Sequence, residues 1–296
     1  MKRYLTLAAC LGFSVLQGCA SVSNNNGNAI GQLIIAEPLG VDYKNEVAIA
    51  NLSQMLQRAE ITDVQKAQLY YERGLRYDNV GLRSLARLDF NLALRLKPDL
   101  VEAHNFIGIH YTQLQQFDQA YESFDATIEL SPKHQYAYFN RGIALYYGGR
   151  PSLAVEDINH FHQQQKDEPY RIIWLYLAEQ EIDAASAMTE LQTRSSSVNN
   201  NVWAKDIIDL FLGKLSQSQF LARLPNGISS GRELTERLCE AYFYLGKYNQ
   251  MKGELNAAAN FFKLAMGTNV FDFVEHRYAK LELELMRAEY QRKTQS

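Results

Sequence analysis

The chain has 296 residues, 47% of them hydrophobic and 21% charged, and a formal net charge of −3. That balance suits a soluble body with a sizeable core. No Lys/Arg block marks a phosphate-binding face, which argues against nucleic acid as a partner.

Lys2 and Arg3 form a short basic start, and Tyr4 to Leu16 is an apolar run too short to span a bilayer as a mature helix. Leu16-Gln17-Gly18-Cys19 closes the run. A small residue directly before a cysteine at this place looks like a bacterial lipobox. The resemblance implies that residues 1–18 are a lipoprotein signal peptide and that Cys19 carries the lipid. The plainer alternative is a secretory signal with an incidental cysteine. Acyl chains contribute about 0.8 kcal/mol per buried CH₂, so a multiply acylated Cys19 would anchor firmly. Bacterial lipoproteins held at the inner membrane commonly have Asp in the next position; Ala20 here favours the outer membrane, with the body facing the periplasm. Ser21 to Ala29 has too little apolar surface to offset the entropy of ordering, and residues 19–41 read as a lipidated flexible tether. Within it, Gln32 to Leu39 is apolar, contains Pro38 and is expected to be extended.

Residues 42–66 read as a helix and lead-in, with Ile49, Leu52, Leu56 and Ala59 at helical spacing. This element is either a cap on the first repeat or a dimer-forming helix. Thr62-Asp63-Val64-Gln65 is a capping box that starts the next helix. From there the chain repeats itself. Gly74, Gly108 and Gly142 fall 34 residues apart, and so do Ala86, Ala120 and Ala154, and Phe90, Phe124 and Ile158. Pro98 and Pro132 close the first two units; Lys166 stands where a third proline would be expected. A period of 34 with small, aromatic and proline residues in register is the signature of tetratricopeptide repeats, and residues 67–168 form three of them.

Residues 169–238 read as degenerate helical hairpins. Asp183 and the box Ser216-Gln217-Ser218-Gln219 are helix caps there, and Ser230 opens a long helix. A fourth clear repeat occupies 239–270, with Tyr242, Gly246, Ala258, Phe262 and Ala265 in register. In 271–296, Asp272 is expected to cap a terminal capping helix. Its apolar face would carry Val274, Tyr278, Leu281 and Leu285, and its solvent face Glu275, Lys280, Glu282 and Arg287. The expected fold is all-α: a tetratricopeptide-repeat helical-hairpin solenoid with flanking N- and C-terminal helices.

No residue pattern points to catalysis, a metal or a cofactor. His160 and His162 are two apart, which puts their rings on different helix faces. Cys239 has no nearby histidine partner, and with Cys10 and Cys19 it makes no disulfide framework. In such repeats the inner face is lined mainly by the first helix of each hairpin. Those positions hold Tyr71, Leu75, Asn105, Ile109, Phe139, Ile143, Tyr146 and Tyr147. The set is aromatic, aliphatic and amide, without the Lys and Arg of a carboxylate clamp. It predicts either an apolar groove for an extended segment or partner helix, or packing against the next hairpin.

The lipobox followed by this order of repeats resembles the NlpI family of outer-membrane lipoproteins. The residues that carry the resemblance are Tyr71 to Gly74, Leu82 to Arg87, Asn140 to Arg150, Trp174 to Gln180, Tyr244 to Tyr248, and Asn269 with Phe273 to Ala279. The resemblance implies a non-enzymatic, homodimeric adaptor. Its partners would be murein hydrolases, a murein endopeptidase and a periplasmic C-terminal-processing protease, to which the endopeptidase is presented, so that peptidoglycan turnover is tuned. The alternative is a scaffold for cell-wall or envelope assembly complexes without a role in proteolysis.

Overall fold

A computed structural model describes residues 33–58 and 60–295. Cys19, the lipobox, most of the tether and Ala59 lie outside the described residues. Fourteen helices follow one another, without strands among the described residues. None of them is long and apolar enough to cross a membrane.

Helix α1 (Tyr43–Leu56) begins where Asp42 accepts from Lys44 N at 2.9 Å. It packs on α2 and buries Leu52. The hairpins then run in order: α2 (Asp63–Asn79) with α3 (Arg83–Leu96), α4 (Val101–Gln113) with α5 (Phe117–Leu130), and α6 (Gln135–Tyr147) with α7 (Pro151–His162). The less regular part supplies α8 (Pro169–Gln180) with α9 (Ala184–Ser195), and α10 (Ala204–Phe211) with α11 (Gln217–Arg223). Helix α12 (Gly231–Met251) pairs with α13 (Leu255–Gly267), and α14 (Val274–Gln295) ends the chain.

The caps explain the boundaries. Both expected capping boxes form, at Thr62 and at Ser216. Ser230 accepts from Glu233 N at 3.1 Å and opens α12. Gly149 turns the third hairpin at φ 72°, and Pro151 follows at the first helical turn, where its missing N–H is no loss. The proline absent at 166 appears three residues later as Pro169, at the start of α8.

Each clear hairpin is closed by the same interlock, a glycine on the first helix against a large side chain sixteen residues on. A Cβ at Gly108 would lie 2.6 Å from Phe124 Cε1. Arg73 also clamps Asp89 through two bonds, 2.7 and 2.8 Å, and Arg141 clamps Asp157 in the same way. In the second repeat both equivalents are exchanged together, for Ile107 and Ser123, so no lone charge is left behind.

Three expectations need correction. The stretch 33–41, assigned to the flexible tether, is held along the far end of the chain. Leu39 N donates to Thr268 O at 2.9 Å, Thr235 Oγ1 donates to Glu37 O at 3.1 Å, and the Tyr242 hydroxyl donates to Ile34 O. Asp272 does not cap α14: Arg277 N donates to Phe273 O at 3.1 Å, so Phe273 holds the cap position. And α14 is no peripheral cap. It packs on α12, α13 and α4, and Glu275 and Glu282, read as solvent-facing, are buried.

Two polar clusters hold α14 in place. Near its start, Arg277 donates to Asp78 Oδ2 at 2.6 Å and His110 Nε2 donates to Asp78 Oδ1 at 2.9 Å. Burial opposes the Asp78 charge, but Arg277 and His110 hold its carboxyl below the ordinary value. Burial lowers the pKa of His110, which stays neutral. Beside them, Arg83 donates to His276 Nδ1 at 3.3 Å, and His276 Nε2 donates to Met266 O at 3.0 Å. Burial holds His276 down to about 4. Two turns along α14, Lys247 donates to Glu282 Oε1 at 2.7 Å, to the Tyr146 hydroxyl at 2.8 Å and to Gln250 at 3.1 Å. Burial works against the ammonium, yet the Glu282 carboxylate raises the Lys247 pKa above its usual range.

Two substitutions test these contacts by urea denaturation. Gly108→Ala should cost about 1–3 kcal/mol, the range for overpacking a rigid core, because the Phe124 ring has no room to retreat. Lys247→Met should cost about 3–5 kcal/mol by stranding Glu282. Adding Glu282→Leu should recover much of that loss; a double variant less stable than Lys247→Met would refute the pairing.

Candidate functional site

The structure divides the predicted inner-face set into three groups. Tyr71 and Leu75 are half-buried in a small cluster around Phe90 and Ile107. The Tyr71 ring stands 5.9 Å from that of Phe90 and 6.4 Å from that of Phe106. Burial pushes its hydroxyl up to about 12. Asn105, expected to meet a partner's backbone, is buried and accepts from Asn140 Nδ2 at 3.0 Å. Ile109 and Ile143 are core residues. These five residues pack between hairpins and do not form an open groove.

The second group is covered by the chain itself. The Tyr147 hydroxyl donates to Glu282 Oε1 at 2.9 Å, and its ring lies 5.3 Å from that of Tyr278. Burial and then the Glu282 charge raise the Tyr147 pKa well above the usual phenol value. Tyr146 accepts from Lys247 and stands edge-on to Trp174 at 6.3 Å. Helix α14 therefore occupies the place on the inner face that an external helix was expected to take. A cavity of about 370 Å³ remains beside it, bordered by Gln180, Glu181, Met251 and Arg292.

Phe139 is the third group. Its ring stacks on Phe161 at 4.6 Å and stands edge-on to Trp174 at 6.0 Å. It borders an open cleft of about 410 Å³ between α6, α7, α8, α12 and the start of α14. Tyr136 stands at the rim, 59% exposed. The apolar wall is Phe139, Phe161 and Trp174; the polar wall is Glu168, Glu240, Asp272 and Glu275. Among the described residues, Arg171 is the single basic residue of the lining. Its guanidinium lies 3.7 Å from the centre of the Phe161 ring and donates to Phe161 O.

Glu240 accepts from Trp203 Nε1 at 2.7 Å, and Glu275 accepts from the Tyr244 hydroxyl at 2.8 Å. Burial, followed by the Glu275 charge, pushes Glu240 up to about 8. Burial, followed by Glu168, raises Glu275 as well, against its hydrogen bonds to Tyr244 and its own backbone N–H. Near neutral pH the pair therefore holds a proton that two exposed carboxylates would have lost.

The spacing of the repeats did not single out these carboxyls. A signal was present: Glu240 and Lys247 are seven apart on α12, and Glu275 and Glu282 seven apart on α14. Two charged pairs of equal pitch on two amphipathic helices point to facing partners. Elsewhere, His160 lies against the Tyr138 ring at 4.1 Å, and Cys239 is buried with its thiol pushed up by burial. Among the described residues no cluster of His, Cys, Asp and Glu is arranged to hold a metal ion.

No family model matches the chain. Among solved structures, a tetratricopeptide repeat protein from Parabacteroides merdae is similar to it at 15% identity, over 83% of this chain and 93% of that one, with a TM-score of 0.55. MamA from Desulfovibrio magneticus is similar at 18% identity over 68% of this chain and 93% of that one, with a TM-score of 0.43. MamA AMB-1 is similar at 18% identity over 53% of this chain and 98% of that one, with a TM-score of 0.44. Repeat register, hairpin geometry and the Parabacteroides structure agree on the fold: the chain is an all-α tetratricopeptide-repeat solenoid.

Proposed function

We propose that the protein is a protein-binding adaptor of the NlpI type, lipid-anchored through Cys19 to the outer membrane and facing the periplasm. It brings a murein endopeptidase to a C-terminal-processing protease, and so tunes peptidoglycan turnover. The observation that carries the binding role is the aromatic cleft beside Phe139, open on the inner face of a repeat solenoid. The anchor and the identity of the partners rest on the lipobox and on the resemblance to the NlpI family. Holding protease and substrate on one body raises their effective concentration, which speeds cleavage without new chemistry.

The test is endopeptidase degradation with purified components. The adaptor should accelerate degradation only when the protease is present. Tyr136→Ala, a rim change with little cost to folding, should weaken capture by about tenfold, as loss of an aromatic anchor does. Degradation by the adaptor alone, or protease activity indifferent to it, would overturn the proposal.

The adaptor is further proposed to be a homodimer built on α1, which leaves Tyr43, Val47 and Met55 exposed. Sedimentation of the double variant Val47→Asp, Met55→Asp should yield monomers. A dimer that survives both changes excludes α1 as the interface.

A further inference from the structure

Helices α12 and α14 pack against each other, and each carries charged residues two turns apart on the shared side. Seven residues rise about 10.5 Å, so the two stripes stay in step. At one end Lys247 faces Glu282, and the pair is closed by a 2.7 Å ion pair. At the other end Glu240 faces Glu275, acid against acid, with no cation between them. Among the described residues these two carboxyls accept from indole, hydroxyl and backbone donors, and no ammonium or guanidinium closes an ion pair with either; the Arg237 charge reaches Glu240 only at longer range. The nearby arginines are engaged elsewhere. Arg171 lies on the Phe161 ring, and Arg237 donates to the carbonyls of Leu224 and Asn226.

The acid-against-acid end is the end that opens into the cleft of about 410 Å³. Two further carboxyls, Glu168 and Asp272, stand at the same opening. On the aromatic wall opposite, the Phe161 ring already carries the Arg171 guanidinium, and Phe139 and Trp174 remain to line the methylene stem of a long basic side chain. Exposed Tyr136 offers a surface for the residues flanking it.

From this geometry we infer that the cleft takes a lysine or arginine side chain from a partner protein, whose cation completes the Glu240–Glu275 end as Lys247 completes the other. The inference rests on the adaptor reading and names the chemistry that the cleft would select. Binding also moves protons. A cation favours the ionised pair, whereas Glu240, at about 8, is mostly protonated at pH 7. Association at pH 7 therefore releases protons, and affinity rises as pH climbs from 6 towards 9. The groups facing the pair throughout are Glu168 at the cap of α8, Tyr170 and Arg171 from α8, Arg237 and Tyr244 from α12, and Asp272 ahead of α14.

The chain has two tryptophans, and both report on the site: Trp174 lines the cleft and Trp203 donates to Glu240. The full-length protein in detergent is titrated with the capped tripeptide acetyl-Leu-Lys-Leu-amide, and with the same peptide carrying norleucine for lysine. Tryptophan fluorescence reads binding, and calorimetry in buffers of different ionisation enthalpy reads proton release. The lysine peptide should bind about tenfold tighter at pH 8, equivalent to about 1.4 kcal/mol. Glu240→Gln should abolish that preference and the proton release, so that the two peptides bind equally. Asp272→Asn, at an exposed position where folding is not at stake, should lower lysine affinity about two- to threefold, as loss of a partly screened charge does. Equal binding of the two peptides overturns the inference, as does a lysine preference that survives Glu240→Gln. Cadaverine binding as tightly as the lysine peptide would overturn the assignment to a protein segment. None of these outcomes touches the degradation assay, so the adaptor reading can stand while the cation site fails.

Discussion

The position of α14 governs the rest of the molecule. A solenoid of hairpins curls and leaves a concave face, and this chain fills much of that face with its own last helix. The helix is held at two levels, by Arg277 on Asp78 and by Glu282 on Lys247. Pairs so deeply buried cost desolvation and are weak evidence of net stability. Their larger effect is on register. Sliding α14 by one turn would part both pairs at once and strand four buried charges. An apolar contact would tolerate such a slip; these pairs do not.

That constraint reaches back to the first hairpin. Asp78 and Arg83 belong to α2 and α3, and Gly81 at the turn between them lies against the Phe271 ring. The extended stretch 33–41 is bonded to α12 and to Thr268. The stretch 33–41 and the turn of the first hairpin thus both meet the α13–α14 connection, and the solenoid is fastened across its opening. The hairpins contribute a different kind of rigidity. Glycine against a phenylalanine ring sets the closest approach of the two helices, and the Arg–Asp clamp fixes their rotation. Because the clamp is kept whole or removed whole, each hairpin remains free of a stranded charge.

Most of the helices and their caps were legible in the sequence, because these are local effects. Thr62 and Ser216 bond to backbone three residues on, and Pro151 and Pro169 need only their own φ. The inner face was not legible in the same way. Helical spacing put Glu275 and Glu282 on a polar stripe, and a polar stripe ordinarily faces water. Their burial depends on Lys247, Tyr244 and Tyr147, which lie 31 to 135 residues away. Likewise, Ile109, Ile143 and Asn105 stand at groove positions of the repeat but are consumed by packing on the next hairpin. Asn105 shows the reason clearly: its amide oxygen finds Asn140 on the following hairpin before any external peptide could reach it.

A filled concave face changes how such a scaffold can recognise a partner. An open solenoid grips a long segment with many weak contacts along its length. Here α14 has taken the central contacts, and the cleft beside Phe139 is what stays open at one end of it. A small cleft gains little from area, so discrimination must come from the few groups that line it. Aromatic walls alone would accept any apolar side chain of suitable size. The buried acids change that. An apolar guest leaves Glu240 and Glu275 to share protons as before, whereas a cation replaces those protons and gains a close electrostatic partner. The selectivity of the site then depends on how strongly burial has raised the two carboxyls, and that burial is a consequence of α14 lying inside the solenoid.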